Sequence, residues 1–356
     1  MSSLAFLRGL PKVELHCHLE GTVKPATFLS LAQRHGVEPR YRPSSRTGDV
    51  QPVLDQVDAG SVYDFRSFAE CLLVFAAVCR SLKDPIDYAT IAQEYADEAV
   101  AQNVMYAEIF ISPSVWQFFH PKLNVSQCLE AMRAVFDRYH GRHGVIVKFI
   151  CDVTRNFGAE SAVRTVELAA SLMDLGVIGV GLGGDEARYP AALFAEAFVL
   201  ASNAGLHTVA HAGEAAGAQS VRAAIDNLHA ERIGHGIRAV ADAQVVDLLA
   251  RTRIPLEVCP TSNYFTGAVK AGEPHPLTEL DHRGVIVTLD TDDPAIFRTD
   301  LTAEYAFAEG CAGLDAAIRF ARNGIEASFA DDSVKQAMRD RFERYCAEER
   351  AMRRSH

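Results

Sequence analysis

The chain has 356 residues, 49% of them hydrophobic and 23% charged, with a formal net charge of −11. That composition excludes a disordered or fibrous protein and fits one large globular domain, residues 1–356. The acidic balance and the lack of any Lys/Arg-rich run argue against nucleic acid or an anionic membrane as a partner, and no apolar window of about 18 residues exists to cross a bilayer.

The N-terminal MSSLAFLRGLPK offers an apolar stretch too short for a signal-peptide core. The cysteines at 17, 71, 79, 128, 151, 259, 311 and 346 form no C-x-x-C and read as reduced, buried thiols, so a cytoplasmic location is expected. The first strand is expected over Val13–His18. Side chains two apart on a strand point the same way, so His16 and His18 face one side and can meet one metal ion. The stretch from Thr22 to Asn103 is too long for one crossover and is expected to hold extra helices over Val62–Ser81 and Tyr88–Ala101. Ahead of both, Arg40–Gly60 is rich in Pro, Ser, Gly and Asp and reads as a loop, either part of a lid or a surface decoration.

Further strands are expected over Val104–Ser112, Val145–Thr154, Val177–Gly183, His207–Gly213, Arg232–Gly236, Leu256–Pro260 and Val285–Asp290. Helical spacing of apolar residues appears over Glu160–Leu175, Ala191–Ala204, Ala218–Leu228 and Ala241–Arg251. From Asp300 onward the chain reads as two or three more helices, ending in the charged Ala337–Arg354 segment. Eight strand–helix units predict an α/β fold, a closed (β/α)8 TIM barrel with extra helices after the first strand and at the C-terminus. A doubly wound open sheet is the alternative.

The polar residues of interest fall at strand ends. These are His16 and His18, then His211 and Glu214, then His235, then Asp290, Asp292 and Asp293. In a barrel the carboxyl ends of all strands share one rim, so these residues are expected to meet. Each taken alone has an ordinary structural reading, such as a core histidine or a helix cap.

The string Pro11–Gly21 (PKVELHCHLEG) resembles the opening motif of the adenosine deaminase family. Gly183–Glu186 (GGDE), His211–Glu214 (HAGE), Arg232–Gly236 (RIGHG), Cys259–Asn263 (CPTSN) and Thr291–Pro294 (TDDP) follow in the family's order. The resemblance implies one zinc per chain, with His16, His18, His211 and Asp292 as ligands and a position left for the attacking water. It makes Glu214 the proton shuttle to purine N1, in an environment that raises its pKa. It also implies that His235 and Asp293 orient the nucleophile, that Gly184 offers its N–H to purine N3, and that Glu20 lies on the sugar side. The implied reaction is hydrolysis of a 6-aminopurine nucleoside to the 6-oxopurine and ammonia.

Three features bear on the substrate. Adenosine-specific relatives typically carry Asp at the position of Glu20, and Glu there suits free adenine. GGDE and GHG look instead like the nucleoside branch. Glu108-Ile109-Phe110 follows neither group, and Trp116, Phe118 and Phe119 are expected to line an apolar part of the pocket. Adenosine or an enlarged analogue such as 6-aminodeoxyfutalosine is the expected substrate, with adenine as the alternative. A binuclear amidohydrolase would need a carboxylated lysine at the fourth strand's end, where Gly183-Gly184 stands. The H-x-E…P-C-x-x-C signature of cytidine-type deaminases is absent. A non-catalytic nucleoside-binding protein on this scaffold is the alternative of a different class.

Overall fold

The computed structural model describes residues 3–39, 41–43, 50–52 and 58–354. Eight strands form one sheet in the order β1 (Lys12–His18), β4 (Val104–Ile111), β5 (Ile146–Thr154), β6 (Val177–Gly183), β7 (His207–Ala212), β8 (Arg232–His235), β9 (Leu256–Val258) and β10 (Val287–Leu289). Every pairing among them is parallel. The expected strands are all present. Several end a residue or two early because the chain turns out of the sheet to present its polar residues at the rim. β2 (Tyr41–Pro43) and β3 (Val50–Pro52) make a separate antiparallel hairpin inside the stretch expected to be a loop. The rest of that stretch, residues 40, 44–49 and 53–57, lies outside the described residues, and so does any lid there.

The barrel closes between β10 and β1 without a regular ladder. Asp290 Oδ1 accepts the N–H groups of Leu15 at 2.6 Å and His16 at 3.2 Å. Beyond it, Asp292 N–H donates to the His16 carbonyl at 2.9 Å and His18 N–H to the Asp292 carbonyl at 2.8 Å. A side-chain carboxylate thus supplies the acceptors that a longer β10 would have provided, as buried N–H groups require. The same bonds lock the strand carrying His16 and His18 to the one that leads into Asp292.

β1 and β4 are buried along their whole length, as parallel strands covered on both faces should be. The surrounding helices each pack one apolar stripe inward. Val221, Ala224 and Leu228 are buried in helix Ala218–Leu228, and Val245, Val246 and Leu249 in helix Ala243–Thr252. Phe110, Ile150 and Val209 form a small separate apolar cluster.

Four helix expectations are corrected. The one over Val62–Ser81 begins only at Phe68, where Ser67 Oγ accepts the Glu70 N–H and caps it. Val62 and Tyr63 are buried in the preceding turn, with Tyr63 O–H donating to the Val23 carbonyl at 2.7 Å. The helix expected from Tyr88 starts at Pro85, and Asp87 Oδ2 accepts the Asp84 N–H at 3.0 Å. Glu160–Leu175 and Ala191–Ala204 each combine an α-helix with a 3₁₀ turn, at Met173–Leu175 and Ala191–Phe194. The C-terminal helix runs over Asp332–Arg354. The eight cysteines are free, all buried except Cys311. Among the described residues no helix is long and apolar enough to cross a membrane.

Candidate active site

The strand ends bring His16, His18, His211 and Asp292 together, one ligand atom of each lying within 4.8 Å of the others. All four are buried. His18 Nε2 and His211 Nε2 are 3.2 Å apart, and Asp292 Oδ1 is 3.3 Å from His18 Nε2 and 3.6 Å from His16 Nε2. His16 Nε2 is buried with no hydrogen-bond partner. Three imidazole lone pairs and a carboxylate aimed at one point repel one another unless a cation or protons lie between them. The donor set therefore fits a divalent metal that takes nitrogen and oxygen ligands. Asp292 adopts φ 64° and His235 φ 60°, a left-handed conformation that costs a non-glycine residue about 1–2 kcal/mol. Such strain is characteristic of functional sites.

Two of the four clustered groups, Asp292 and His16, are held from behind. Ser262 Oγ donates to Asp292 Oδ2 at 2.6 Å. Glu257 Oε2 lies 2.7 Å from His16 Nδ1, so the proton is on Nδ1 and Nε2 is left with its lone pair. Glu257 Oε1 accepts from Arg232 Nε at 2.5 Å, and Arg232 NH2 pairs with Glu108 Oε2 at 2.6 Å. Glu108 Oε1 accepts the Phe329 N–H at 2.6 Å, and the Arg232 guanidinium lies 3.7 Å from the centroid of the Phe329 ring. Glu108, Arg232 and Glu257 are all buried. Glu108 is thus engaged in this interior chain and does not line the cavity.

A second chain fixes His235. The Leu277 N–H can only donate, so His275 Nδ1 accepts it, at 3.1 Å. A neutral His275 then donates from Nε2 to Asn263 Oδ1 at 3.1 Å. That turns Asn263 Nδ2 toward His235 Nδ1 at 3.1 Å, which must accept, leaving the proton on His235 Nε2. Burial pushes both His275 and His235 down to about 4, so both are neutral at pH 7, as this polarity requires. His235 Nε2 lies 3.7 Å from Glu214 Oε2 and 3.9 Å from Asp292 Oδ2.

Glu214 owes its place to Glu186. The Glu186 carboxylate accepts the N–H groups of Gly213 (2.6 Å), Glu214 (3.2 Å), Ala215 (2.8 Å) and Ala216 (2.9 Å), pinning the turn that carries Glu214. Burial, then repulsion from Asp292 and Glu186, pushes the Glu214 carboxyl up to about 8. Burial and the neighbouring Asp292 do the same to Asp293, also to about 8. Both groups keep a proton for much of the time near neutral pH.

A cavity of about 350 Å³ opens onto this cluster. Its wall includes His18, His211, Glu214, His235, Asp292, Asp293 and Gly184, together with Phe68, Phe75, Phe118, Phe119 and Phe157. Gly184 has φ 96°, and a Cβ there would stand 2.6 Å from Asn156 Oδ1, so this position takes no larger residue without a shift. Phe118 and Phe119 line the cavity as expected, but Trp116 does not. Its ring packs on Tyr88 at 4.4 Å, and its Nε1–H donates to Glu20 Oε1 at 2.6 Å. Glu20 is fully buried and also accepts the Ser112 N–H at 2.9 Å. Its Oε2 has no partner, and it is not among the residues of the cavity wall. Sequence reasoning missed Asp152, Asn156 and Thr266 on the wall. Asp152 stands in the last third of an anticipated strand, a signal that was available but carried no motif.

The chain matches the family model described as adenosine deaminase over residues 11–345. It is 36% identical to an aminodeoxyfutalosine deaminase of Streptomyces coelicolor, covering 96% of this chain and 86% of the relative. It is also 36% identical to an adenine deaminase of Rhizobium leguminosarum bv. trifolii, covering 92% of this chain and 98% of the relative. Among solved structures, an amidohydrolase from Burkholderia ambifaria with bound Zn superposes with a TM-score of 0.84 at 28% identity, covering 99% of this chain and 96% of that one.

Proposed function

The chain belongs to the adenosine deaminase family, and from that premise we propose that it hydrolyses a 6-aminopurine nucleoside to the 6-oxopurine and ammonia, as a single catalytic domain with one zinc. His16, His18, His211 and Asp292 would hold the metal. When bound, it supplies the Lewis acidity that makes water a nucleophile near neutral pH. The observation that carries the reading is the opening of one cavity onto both this ligand set and the buried carboxyl of Glu214.

Glu214, neutral below about 8, gives its proton to purine N1 and so makes C6 electrophilic. His235 points Nε2–H into the site, where it donates to the oxygen arriving at C6. Asp293, whose buried Oδ1 has no partner, orients the attacking water and contacts the purine. Gly184 lets the backbone approach the flat ring edge at N3. No ligand and no shuttle residue is missing from the set, which favours an enzyme over a binding protein on the same scaffold.

The phenylalanines in the cavity wall favour a nucleoside with an apolar or aromatic extension, as in 6-aminodeoxyfutalosine, over a bare base. The burial of Glu20 behind the wall favours the second reading, free adenine. A panel of adenosine, 2′-deoxyadenosine, adenine, 5′-methylthioadenosine and 6-aminodeoxyfutalosine separates them. The first reading expects a nucleoside to have the highest kcat/KM, and adenine as the best substrate would overturn it.

A further inference from the structure

Asp152, in β5, has no part in the mechanism above, yet it forms part of the cavity wall. It is 6% exposed, and its Oδ1 is buried without a hydrogen-bond partner. A carboxylate taken out of water with an unused oxygen is costly, and in a native structure such a group calls for an explanation. An ion pair does not provide it. The nearest guanidinium in sequence, Arg155, donates to the carbonyls of Tyr189 at 2.5 Å and His211 at 2.7 Å and leaves Asp152 Oδ1 without a hydrogen bond. Burial instead pushes the Asp152 carboxyl up to about 6, so it is still mostly ionised at pH 7.

The neighbouring strand β6 leaves room for this side chain. A Cβ on Gly181 would stand 2.9 Å from Asp152 Oδ1, and one on Gly183 2.5 Å from Oδ2. The carboxylate therefore lies against the bare backbone that leads directly into Gly184. If Gly184 faces purine N3, Asp152 borders the adjoining edge of the ring, at N9. Among the described residues no lysine or arginine lines the cavity, so a phosphate there would meet a carboxylate and no cation. The complementary group is a neutral hydrogen-bond donor.

We propose that Asp152 is a specificity-determining residue that accepts a hydrogen bond from a donor on the N9 side of the purine, either a sugar hydroxyl of a nucleoside or the ring N–H of a free base. The proposal rests on the reading of the site as a 6-aminopurine deaminase.

The test compares wild type, Asp152→Asn and Asp152→Ala, all zinc-loaded, on adenosine, its 2′-, 3′- and 5′-deoxy analogues, adenine and 9-methyladenine. A hydrogen bond to a buried charged group predicts that wild type loses about ten- to a hundredfold in kcat/KM when its donor is removed. If the donor is a sugar hydroxyl, one deoxy analogue shows that loss against adenosine. If it is the ring N–H, 9-methyladenine shows it against adenine. In Asp152→Ala the same ratio collapses to about threefold or less. Asp152→Asn, similar in shape but a weaker acceptor, gives an intermediate ratio with unchanged zinc content and unfolding midpoint, and it decides the matter if the alanine variant does not fold. Ratios that stay as in wild type, or an equal loss on every substrate, overturn the assignment of Asp152 alone. A wild-type enzyme that deaminates nothing in the panel overturns this proposal, and one that is inactive on 6-aminodeoxyfutalosine as well overturns the deaminase reading.

Discussion

Glu257→Gln tests how far the interior of the barrel controls the metal site. Glu257 accepts from two donors at once, His16 Nδ1 at 2.7 Å and Arg232 Nε at 2.5 Å, with no exposure to water. Glutamine has one oxygen. If that oxygen serves Arg232, the amide N–H₂ faces His16 Nδ1, and the histidine must move its proton to Nε2, the nitrogen that points at the ligand cluster. If the oxygen serves His16, a donor abuts the guanidinium, and Arg232 retains only Glu108 as counter-charge. Either way a buried donor goes unpaired, at about 1–3 kcal/mol. Loss of the partner behind a metal-binding histidine typically weakens metal binding by about 10–100-fold. Urea unfolding of the metal-free protein should show roughly 2 kcal/mol lower stability. Chelator competition should show zinc held at least about tenfold more weakly. Unchanged zinc affinity together with unchanged stability would refute the claim that Glu257 sets the His16 tautomer.

Glu214→Gln should keep fold and zinc and lose about 10²–10⁴-fold in kcat, since an amide of similar shape delivers no proton to N1. A variant within about threefold of wild type would remove Glu214 as the shuttle. Asn263→Asp replaces an amide by an acceptor-only group, so His235 should carry its proton on Nδ1 and turn a lone pair toward Glu214. Nitrogen NMR of the ring should report the reversed tautomer along with a fall in kcat of about tenfold or more, and a wild-type tautomer would contradict the chain through His275. Gly184→Ala should raise KM for the purine and cost about 1–2 kcal/mol of stability from its φ of 96° alone. Wild-type KM and stability in that variant would show that no close approach is needed there.

The barrel was legible because its strands are short apolar runs separated by helical periods, and the rim was legible because alternation puts His16 and His18 on one face. The groups behind the rim were not. Glu108 and Glu257 each sit inside a strand between apolar neighbours and Arg232 opens one, and nothing local says that they pair with one another across the barrel. His275 lies in a connecting segment without periodicity, and its link to His235 through Asn263 exists only in three dimensions. Trp116 misled for a related reason. An aromatic residue after a strand end can face the cavity or the core, and here the buried Glu20 carboxylate holds its N–H on the core side. The start of helix Phe68–Ser81 was missed because Val62 and Tyr63 are buried in a turn, which mimics a continuing apolar stripe.

The central claim is that the rim cluster binds one zinc and uses it to deaminate a 6-aminopurine. The most direct measurement is ammonia release from the five-purine panel by protein of known metal content, before and after chelation and after zinc is restored. The account predicts one zinc per chain, ammonia equal in amount to the 6-oxopurine formed, loss of both products with the metal and recovery of both with zinc. Two metals per active chain, or no ammonia from any 6-aminopurine at full zinc loading, would contradict it.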